Sequence, residues 1–238
     1  MFAKYGELMD DLKRAIAIEG EIGIDEVVLP EGARRGDVAE VEMDAKGVKG
    51  VAGLEGFRAS ICECQKCELG ATRNKFVFGV GNPDADIMFI GEAPGADEDR
   101  QGEPFVGRAG KLLDKILAAI DLDRTQIYIA NILKCRPPGN RDPQPEEMNT
   151  CFPYLEQQIA MIAPRFICCL GRVAAQRVLE TKTPLGKMRH QWFDKFGSKV
   201  MVTYHPAALL RFASYKKDTW VDMQRLRKSY DEWKETAR

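Results

Sequence analysis

The sequence predicts an α/β fold of three layers, α/β/α, whose central, mainly parallel sheet has four strands. From residue 61 onward, short apolar runs typical of buried strands alternate with amphipathic stretches typical of helices. Strands separated by helices favour a parallel sheet that is covered on both faces. Polar residues directly follow several of the runs, at the edge where open α/β sheets bind their ligands. We therefore expect the functional site at the carboxyl ends of the strands.

The predicted elements alternate in chain order. The third apolar run contains Cys168 and Cys169, which we assign to the core because a free cysteine packs as a small apolar side chain. Strands are predicted at residues 86–90, 127–133, 166–170 and 199–204, and helices at 110–120, 145–162 and 172–180.

Residues 1–55 differ from the main domain, residues 56–238. Apolar residues at helical spacing predict an amphipathic helix from residue 2 to about 19, and the following stretch, rich in Gly, Asp and Glu, predicts a flexible extension. This helix either docks on the main domain or binds a partner, and nothing in the sequence supports the partner. Residues 1–58 carry 13 acidic and 8 basic side chains, whereas residues 59–238 carry 23 acidic and 27 basic ones. The main domain is therefore mildly basic, which permits a phosphate-binding face.

Composition bounds the class of protein. With 238 residues and 45% hydrophobic content, the chain can bury a sizeable core. No apolar run approaches the roughly 18 residues of a membrane span, and no signal-peptide pattern is seen, so we expect a cytosolic protein without a membrane partner. Seven cysteines, an odd number, favour reduced thiols and a metal over a disulfide framework.

Four cysteines have the spacing of a metal site. Cys64 and Cys67 form a C-x2-C pair, and Cys135 and Cys151 form a distant C-x15-C pair. Two such pairs can complete a four-sulfur shell, which suits zinc or an iron–sulfur cluster equally. Cys62 is an alternative partner for Cys67, although only Cys64 gives the two-residue spacing.

Three polar residues fall at strand ends. Glu92 follows the first strand, Asn131 lies towards the end of the second, and His205 follows the fourth. Their loops should converge on one crevice. Each residue also has a structural alternative: a loop-stabilising carboxylate, a turn cap and a packed histidine. Phe105 is either a stacking surface or a core residue.

The ordered motifs of residues 61–228 resemble family 4 uracil-DNA glycosylase. They include the Asn131 strand and the four cysteines, together with Gly91-Glu92-Ala93-Pro94-Gly95, Glu98-Asp99, Gly102-Glu103-Pro104-Phe105-Val106-Gly107, Cys135-Arg136-Pro137-Pro138 and His205-Pro206-Ala207-Ala208-Leu209-Leu210. The resemblance implies a monofunctional repair enzyme, expected to be a monomer, that removes uracil from DNA and leaves an abasic site. It also implies a structural 4Fe-4S cluster on the four cysteines, with zinc as the weaker choice.

The resemblance implies a role for each candidate residue. Asn131 would read the Watson–Crick edge of a flipped uracil, Phe105 would stack on its ring, and His205 would donate to O2 as negative charge develops. Glu92 would activate water or face the cationic sugar. The remaining candidates are main-chain contacts at Gly91, Ala93 and Gly95 and a duplex-inserting loop at Leu209, Leu210 and Arg211, whose leucines are packed in the structural alternative. Apart from the resemblance, the basic residues are candidate phosphate contacts or part of a solvated basic face: Arg73, Lys134, Arg136, Arg141 and Arg189.

Two alternative functions are retained. One is a cluster-bearing DNA-binding or electron-transfer protein, which intact Glu92, Asn131 and His205 disfavour. The other is a relative that links covalently to uracil-containing DNA through a histidine. Such relatives resemble this chain but have Gln in place of Ala93 and an inserted histidine after the Cys135 region, where this chain has none. His190 is the only spare histidine.

Overall fold

The computed structural model describes residues 51–236. The predicted N-terminal helix and most of the predicted extension lie outside these residues. The boundary predicted at residue 55 falls within the first described helix, α1, and Leu54 in that helix is buried in the core.

The central sheet has six strands, of which the middle four are parallel. They are β1 (Val80–Gly81), β2 (Ile87–Gly91), β3 (Tyr128–Asn131), β4 (Phe166–Leu170), β5 (Phe193–Lys195) and β6 (Ser198–Thr203). Their order is β1-β3-β2-β4-β6-β5, with β1 and β5 antiparallel to their neighbours at the two edges. The α/β class and the mainly parallel sheet are confirmed, but the predicted count of four strands is wrong. The two missed strands have only two and three residues and are not buried, so they lack the apolar runs of central strands.

Helices cover both faces of the sheet. They are α1 (Val51–Ile61), α2 (Leu69–Thr72), α3 (Ala96–Gln101), α4 (Arg108–Ala118), α5 (Pro145–Ile162), α6 (Arg172–Val178), α7 (Leu185–Met188), α8 (Pro206–Arg211) and α9 (Tyr215–Thr236). A 3-10 turn covers Pro138–Asn140. None of the helices within residues 51–236 is long and apolar enough to span a membrane.

Successive residues of the four central strands belong alternately to two separate hydrophobic clusters. One cluster joins Cys169 and its neighbours to α1, α5 and α6, and the other joins Cys168 to α4 and α9. Side chains of a strand point to opposite faces in turn, so the adjacent cysteines lie in different layers. Both are 0% exposed, which confirms their assignment to the core.

The register of the parallel strands aligns their carboxyl ends. Gly91 pairs with Asn131 between β2 and β3, and Leu170 pairs with Thr203 between β4 and β6. Glu92 directly follows β2, and His205 follows β6 after one residue, Tyr204. The sheet thus places the predicted polar residues along one edge.

Candidate active site

A cavity of about 670 Å³ opens at the carboxyl edge of the sheet. Nine of the residues predicted to act on substrate or DNA line it, namely Glu92, Ala93, Gly95, Phe105, Asn131, Arg141, His205, Leu210 and Arg211. Gly91 and Leu209 are not among its lining residues. Arg108 and Asp142 line it as well and were not predicted from the sequence.

Asn131 presents an unpaired acceptor in this cavity. The residue ends β3 and is 2% exposed, and its Oδ1 atom has no hydrogen-bond partner among the described residues. A buried amide oxygen without a partner is costly, so the site favours a ligand that donates to it. Gly91 makes room for this amide, because a β-carbon there would overlap Asn131 Oδ1 and come within 2.6 Å of Phe105 Cζ. Gly91 therefore acts by its small size behind the cavity wall.

Phe105 forms one wall in an unusual backbone conformation. Its φ is 55°, in the left-handed region that side chains rarely adopt, and the residue is 5% exposed. Its ring centroid lies 5.4 Å from that of His205, at an interplanar angle of 34°. Arg124 holds the segment by donating to the main-chain oxygens of Pro104, at 3.0 Å, and Phe105. The ring is thus fixed beside the imidazole.

Glu98 organises the loops around the cavity. Its Oε1 accepts from the main-chain N–H groups of Val106 at 3.0 Å and Gly107 at 2.9 Å, and its Oε2 accepts from Gly95 at 3.1 Å. One carboxylate therefore ties the Gly-rich loop to the segment that carries Phe105. The sequence motif includes this residue, but the local pattern gives no sign of these three bonds.

His205 is held in a defined tautomer. It precedes α8, and its Nδ1 accepts from the main-chain N–H of Ala207 at 3.1 Å. A neutral imidazole that accepts at Nδ1 carries its proton on Nε2. Burial lowers the pKa of His205 to about 4, Arg211 acts in the same direction, and Glu98 opposes them. His205 is therefore a neutral hydrogen-bond donor at ordinary pH.

Glu92 is a half-buried carboxylate that also lines the cavity. Burial raises its pKa, nearby Asp142 raises it further, and Arg172 opposes the rise. Asp142 itself pairs with Arg172 at 3.2 Å. A carboxylate with a raised pKa is suited to accept a proton from water.

The four predicted metal-binding cysteines lie together beside α5. Burial raises the pKa of Cys135 to about 12, and among the nearby thiols Cys151 and Cys67 add to the rise. Burial also raises the pKa of Cys151, with contributions from Cys67 and Cys64. The four thiols are therefore close enough to influence one another. Cys62 instead directs its thiol to the main-chain oxygen of Ala59 at 3.5 Å.

Hydrogen-bond donors surround the same sulfur atoms. Cys64 Sγ accepts from the Tyr154 hydroxyl at 3.2 Å, Cys151 Sγ from the Lys134 N–H at 3.3 Å, and Cys135 Sγ from Arg73 at 3.6 Å. Thiolates that ligate a metal are stabilised by such donors, so the donor set fits a four-thiolate site. Within residues 51–236, no three His, Cys, Asp or Glu side chains surround one point as ligands of a single ion would.

Several predicted DNA contacts need correction. Lys134 is 0% exposed and Arg189 is 5% exposed and paired with Asp222 at 2.9 Å, so neither can reach a phosphate. Arg73 is bound to the main chain of Cys62 and Cys64. Sequence shows the charge of such residues but not their burial.

The residues of the predicted inserting loop differ in their exposure to solvent. Leu209 is 3% exposed and packs inward, which favours a packing role over insertion into DNA, whereas Leu210 is 45% exposed and lines the cavity. Phe212, which was not predicted, is 53% exposed at the end of α8. Arg211 is exposed at the cavity rim. His190 is exposed but does not line the cavity, which disfavours it as a nucleophile there.

Comparison with known proteins identifies the family. A sequence model of the uracil DNA glycosylase superfamily matches residues 78–224. The Type-4 uracil-DNA glycosylase of Archaeoglobus fulgidus is 45% identical over an alignment that covers 73% of this chain and 91% of that protein. Those of Sulfurisphaera tokodaii and Thermotoga maritima are 41% and 44% identical, covering 73% and 63% of this chain and 83% and 79% of theirs. The chain therefore belongs to the uracil DNA glycosylase superfamily and, within it, to the Type-4 uracil-DNA glycosylases.

Proposed function

We propose that this protein is a monofunctional uracil-DNA glycosylase, which hydrolyses the N-glycosidic bond of deoxyuridine in DNA and leaves an abasic site. The unpaired Oδ1 of Asn131, buried in a cavity that Phe105 and His205 also line, is the single observation that carries the substrate assignment. Membership of the Type-4 family supports the same reaction.

Asn131 selects the base. Uracil offers a donor at N3 and an acceptor at O4, so an amide oxygen and an amide N–H can satisfy both. Cytosine reverses this pattern and would leave buried polar groups unpaired, which is the strongest source of discrimination in a hydrogen-bonding site. The nucleotide must leave the stack to reach the amide, and Phe105 supplies the apolar surface that receives the ring.

His205 stabilises the leaving group. As the glycosidic bond breaks, negative charge gathers on the uracil ring, and the Nε2 proton of a neutral imidazole can donate to O2. The bond from Ala207 fixes the tautomer before the substrate arrives. No protonation of the enzyme is required in this step.

Glu92 acts on the sugar side. Its carboxylate accepts the proton of the attacking water or offsets the positive charge of the oxocarbenium-like sugar. The partial burial of Glu92 reduces the screening of this interaction by water. Asp142, which lines the cavity, and Arg172, which pairs with Asp142, act on the charge of Glu92 in opposite directions.

Leu210 and Arg211 contact DNA at the cavity mouth. An exposed apolar side chain can enter the space left by a flipped base, and the neighbouring guanidinium can bind a phosphate. Arg108 and Arg211 are exposed at the rim, and Arg141 also lines the cavity but pairs with Glu147 at 2.6 Å. Arg108 and Arg211 are therefore the better phosphate contacts.

Cys64, Cys67, Cys135 and Cys151 hold a 4Fe-4S cluster in this proposal, with zinc as the alternative. The bound group would tie the segment between α1 and α2 to the start of α5, a structural contribution rather than a chemical step. Thiols of this kind stay reduced in the cytosol, which is the location we propose.

The direct test uses anaerobically purified protein and oligonucleotides with uracil or thymine at one position, followed by alkali and a denaturing gel. Cleavage only at uracil, and only after alkali, is expected. A denaturation-resistant shifted band would indicate covalent capture instead. An intact oligonucleotide together with a bound cluster would favour the binding or electron-transfer protein.

A further inference from the structure

Lys134 lies between the base-reading residue and the four-cysteine site. Its ammonium donates to the main-chain oxygen of Asn131 at 3.0 Å and to Gln158 Oε1 at 2.5 Å. Its main-chain N–H donates to Cys151 Sγ at 3.3 Å. The residue is 0% exposed. One buried lysine thus contacts both the residue proposed to read uracil and a proposed metal ligand.

No carboxylate pairs with this ammonium among residues 51–236, where the ion pairs join other groups. Gln158 is neutral and its amide N–H groups are engaged, donating to Phe78 O at 3.0 Å and Tyr128 Oη at 3.3 Å. A buried ammonium without an opposite charge is costly. Two thiols lie beside Lys134 instead: Cys151 Sγ accepts its main-chain N–H at 3.3 Å, and Cys135 is the next residue in the chain.

The bound metal site would supply the missing charge. Four thiolates outweigh the charge of a zinc ion or of an iron–sulfur core, so the loaded site is anionic in either case. An ammonium beside it is stabilised without a carboxylate. The same ammonium then fixes the main chain of Asn131 at the end of β3.

We propose that Lys134 is a positioning residue that couples the four-cysteine site to base recognition, holding Asn131 in place with an ammonium that the loaded site stabilises. The expected effect on the preference for uracil rests on the proposed function, whereas the expected effect on the reduction potential at the metal site does not.

Three variants separate the effect of the Lys134–Asn131 hydrogen bond from the effect of the positive charge on Lys134. Lys134→Met removes both the ammonium and its bond to Asn131 while keeping a long side chain. Lys66→Met is the matched control, because the exposed Lys66 also donates its main-chain N–H to a proposed ligand, Cys64 Sγ, at 3.5 Å. Its ammonium lies 5.3 Å above the Tyr154 ring rather than against Asn131. Gln158→Glu lowers the local charge as much as Lys134→Met does but leaves Lys134 against Asn131.

Each variant is compared with the wild type by metal content, cluster reduction potential and DNA binding. The DNA probe carries 2′-fluoro-2′-deoxyuridine, whose glycosidic bond breaks slowly, and the reference strand carries thymidine. We expect Lys134→Met to keep its metal and to shift the reduction potential to more negative values. Its preference for the uracil strand should fall about 10- to 100-fold, the usual size of effect when a group that surrounds metal ligands is mutated. Lys66→Met and Gln158→Glu should keep the preference.

Wild-type preference in a loaded Lys134→Met protein would overturn the proposal, as would an equal loss in Gln158→Glu. If Lys134→Met fails to fold, Gln158→Glu decides. The carboxylate of this variant can replace the negative charge that the loaded four-cysteine site supplies to Lys134. After oxidative loss of the cluster, the variant should therefore keep more of its preference for uracil than the wild type does. Equal losses in the two proteins would refute the coupling. A wild type without any preference would count against the proposed function instead, and an unchanged potential in Lys134→Met would separately refute the link to the metal site.

Discussion

The Nδ1 atom of His205 accepts a hydrogen bond from the main-chain N–H of Ala207 at 3.1 Å. This bond uses the first turn of α8 to keep the imidazole proton on Nε2. Burial lowers the pKa of His205 to about 4, so the ring stays neutral while it faces the cavity. The donor for the leaving uracil is therefore set by the fold before DNA binds.

Replacing His205 by alanine should lower the rate of uracil release by about 10²- to 10³-fold, the usual effect of removing one donor to a developing negative charge. The factor should be equal at pH 6 and pH 8, because the wild-type imidazole is neutral at both values. Single-turnover rates at the two pH values measure it. A wild-type rate that falls as pH rises through the ordinary histidine pKa of 6.5 would show that the charged ring is needed.

Glu92 should control the acid side of the pH–rate profile. Burial raises the pKa of Glu92, so its carboxyl group takes up a proton at a higher pH than an exposed glutamate does. Uracil release should therefore decline below the raised pKa of Glu92 and stay high above it. Glu92→Gln should be about 10²- to 10⁴-fold slower at neutral pH and should lack this decline. The same acid limb in the variant would assign it to another group.

The strand ends could be predicted from the sequence, and much of the site follows from them. Glu92 and His205 follow apolar runs, and Asn131 lies towards the end of one, so their common edge depends only on a parallel sheet. The edge strands were missed because β1 and β5 are too short to show a period.

Long-range contacts explain what the sequence could not show. The three bonds of Glu98 and the left-handed φ of Phe105 depend on how two loops meet. Lys134 looked like a phosphate contact because its charge is visible in the sequence while its burial is not. Leu209 and Leu210 are adjacent and chemically alike, and only the orientation of α8 distinguishes them.

Asn131→Leu should stabilise the protein slightly while it abolishes base recognition. Asn131 Oδ1 is buried without a partner among the described residues, and such a group costs about 1–3 kcal/mol. Leucine has a similar size and no polar atom. Thermal unfolding should therefore show an equal or higher Tm, and the uracil assay should show a loss of about 10⁴-fold or more. A clear fall in Tm would mean that the amide serves the fold rather than the ligand.

Leu209→Ala and Leu210→Ala should have opposite consequences. Leu209 is 3% exposed, so its truncation should cost about 2–5 kcal/mol of unfolding free energy. Leu210 is 45% exposed, so its truncation should leave stability unchanged and weaken action on duplex DNA. Denaturant unfolding and uracil release from duplex and single strands measure the two effects. Equal activity of Leu210→Ala on duplex DNA would remove this side chain from the inserting loop.

Cys64→Ser and Cys62→Ser test which cysteine completes the metal site. Cys64 Sγ accepts from Tyr154 and influences Cys151, whereas the Cys62 thiol faces the oxygen of Ala59. Cys64→Ser should therefore lose metal and the visible absorbance of a cluster, and Cys62→Ser should keep both. Iron and zinc analysis of the wild type decides the occupant, because four thiolates accept either. Metal loss in Cys62→Ser with retention in Cys64→Ser would exchange the two roles, and would require the segment after α1 to shift so that Cys62 faces Cys67.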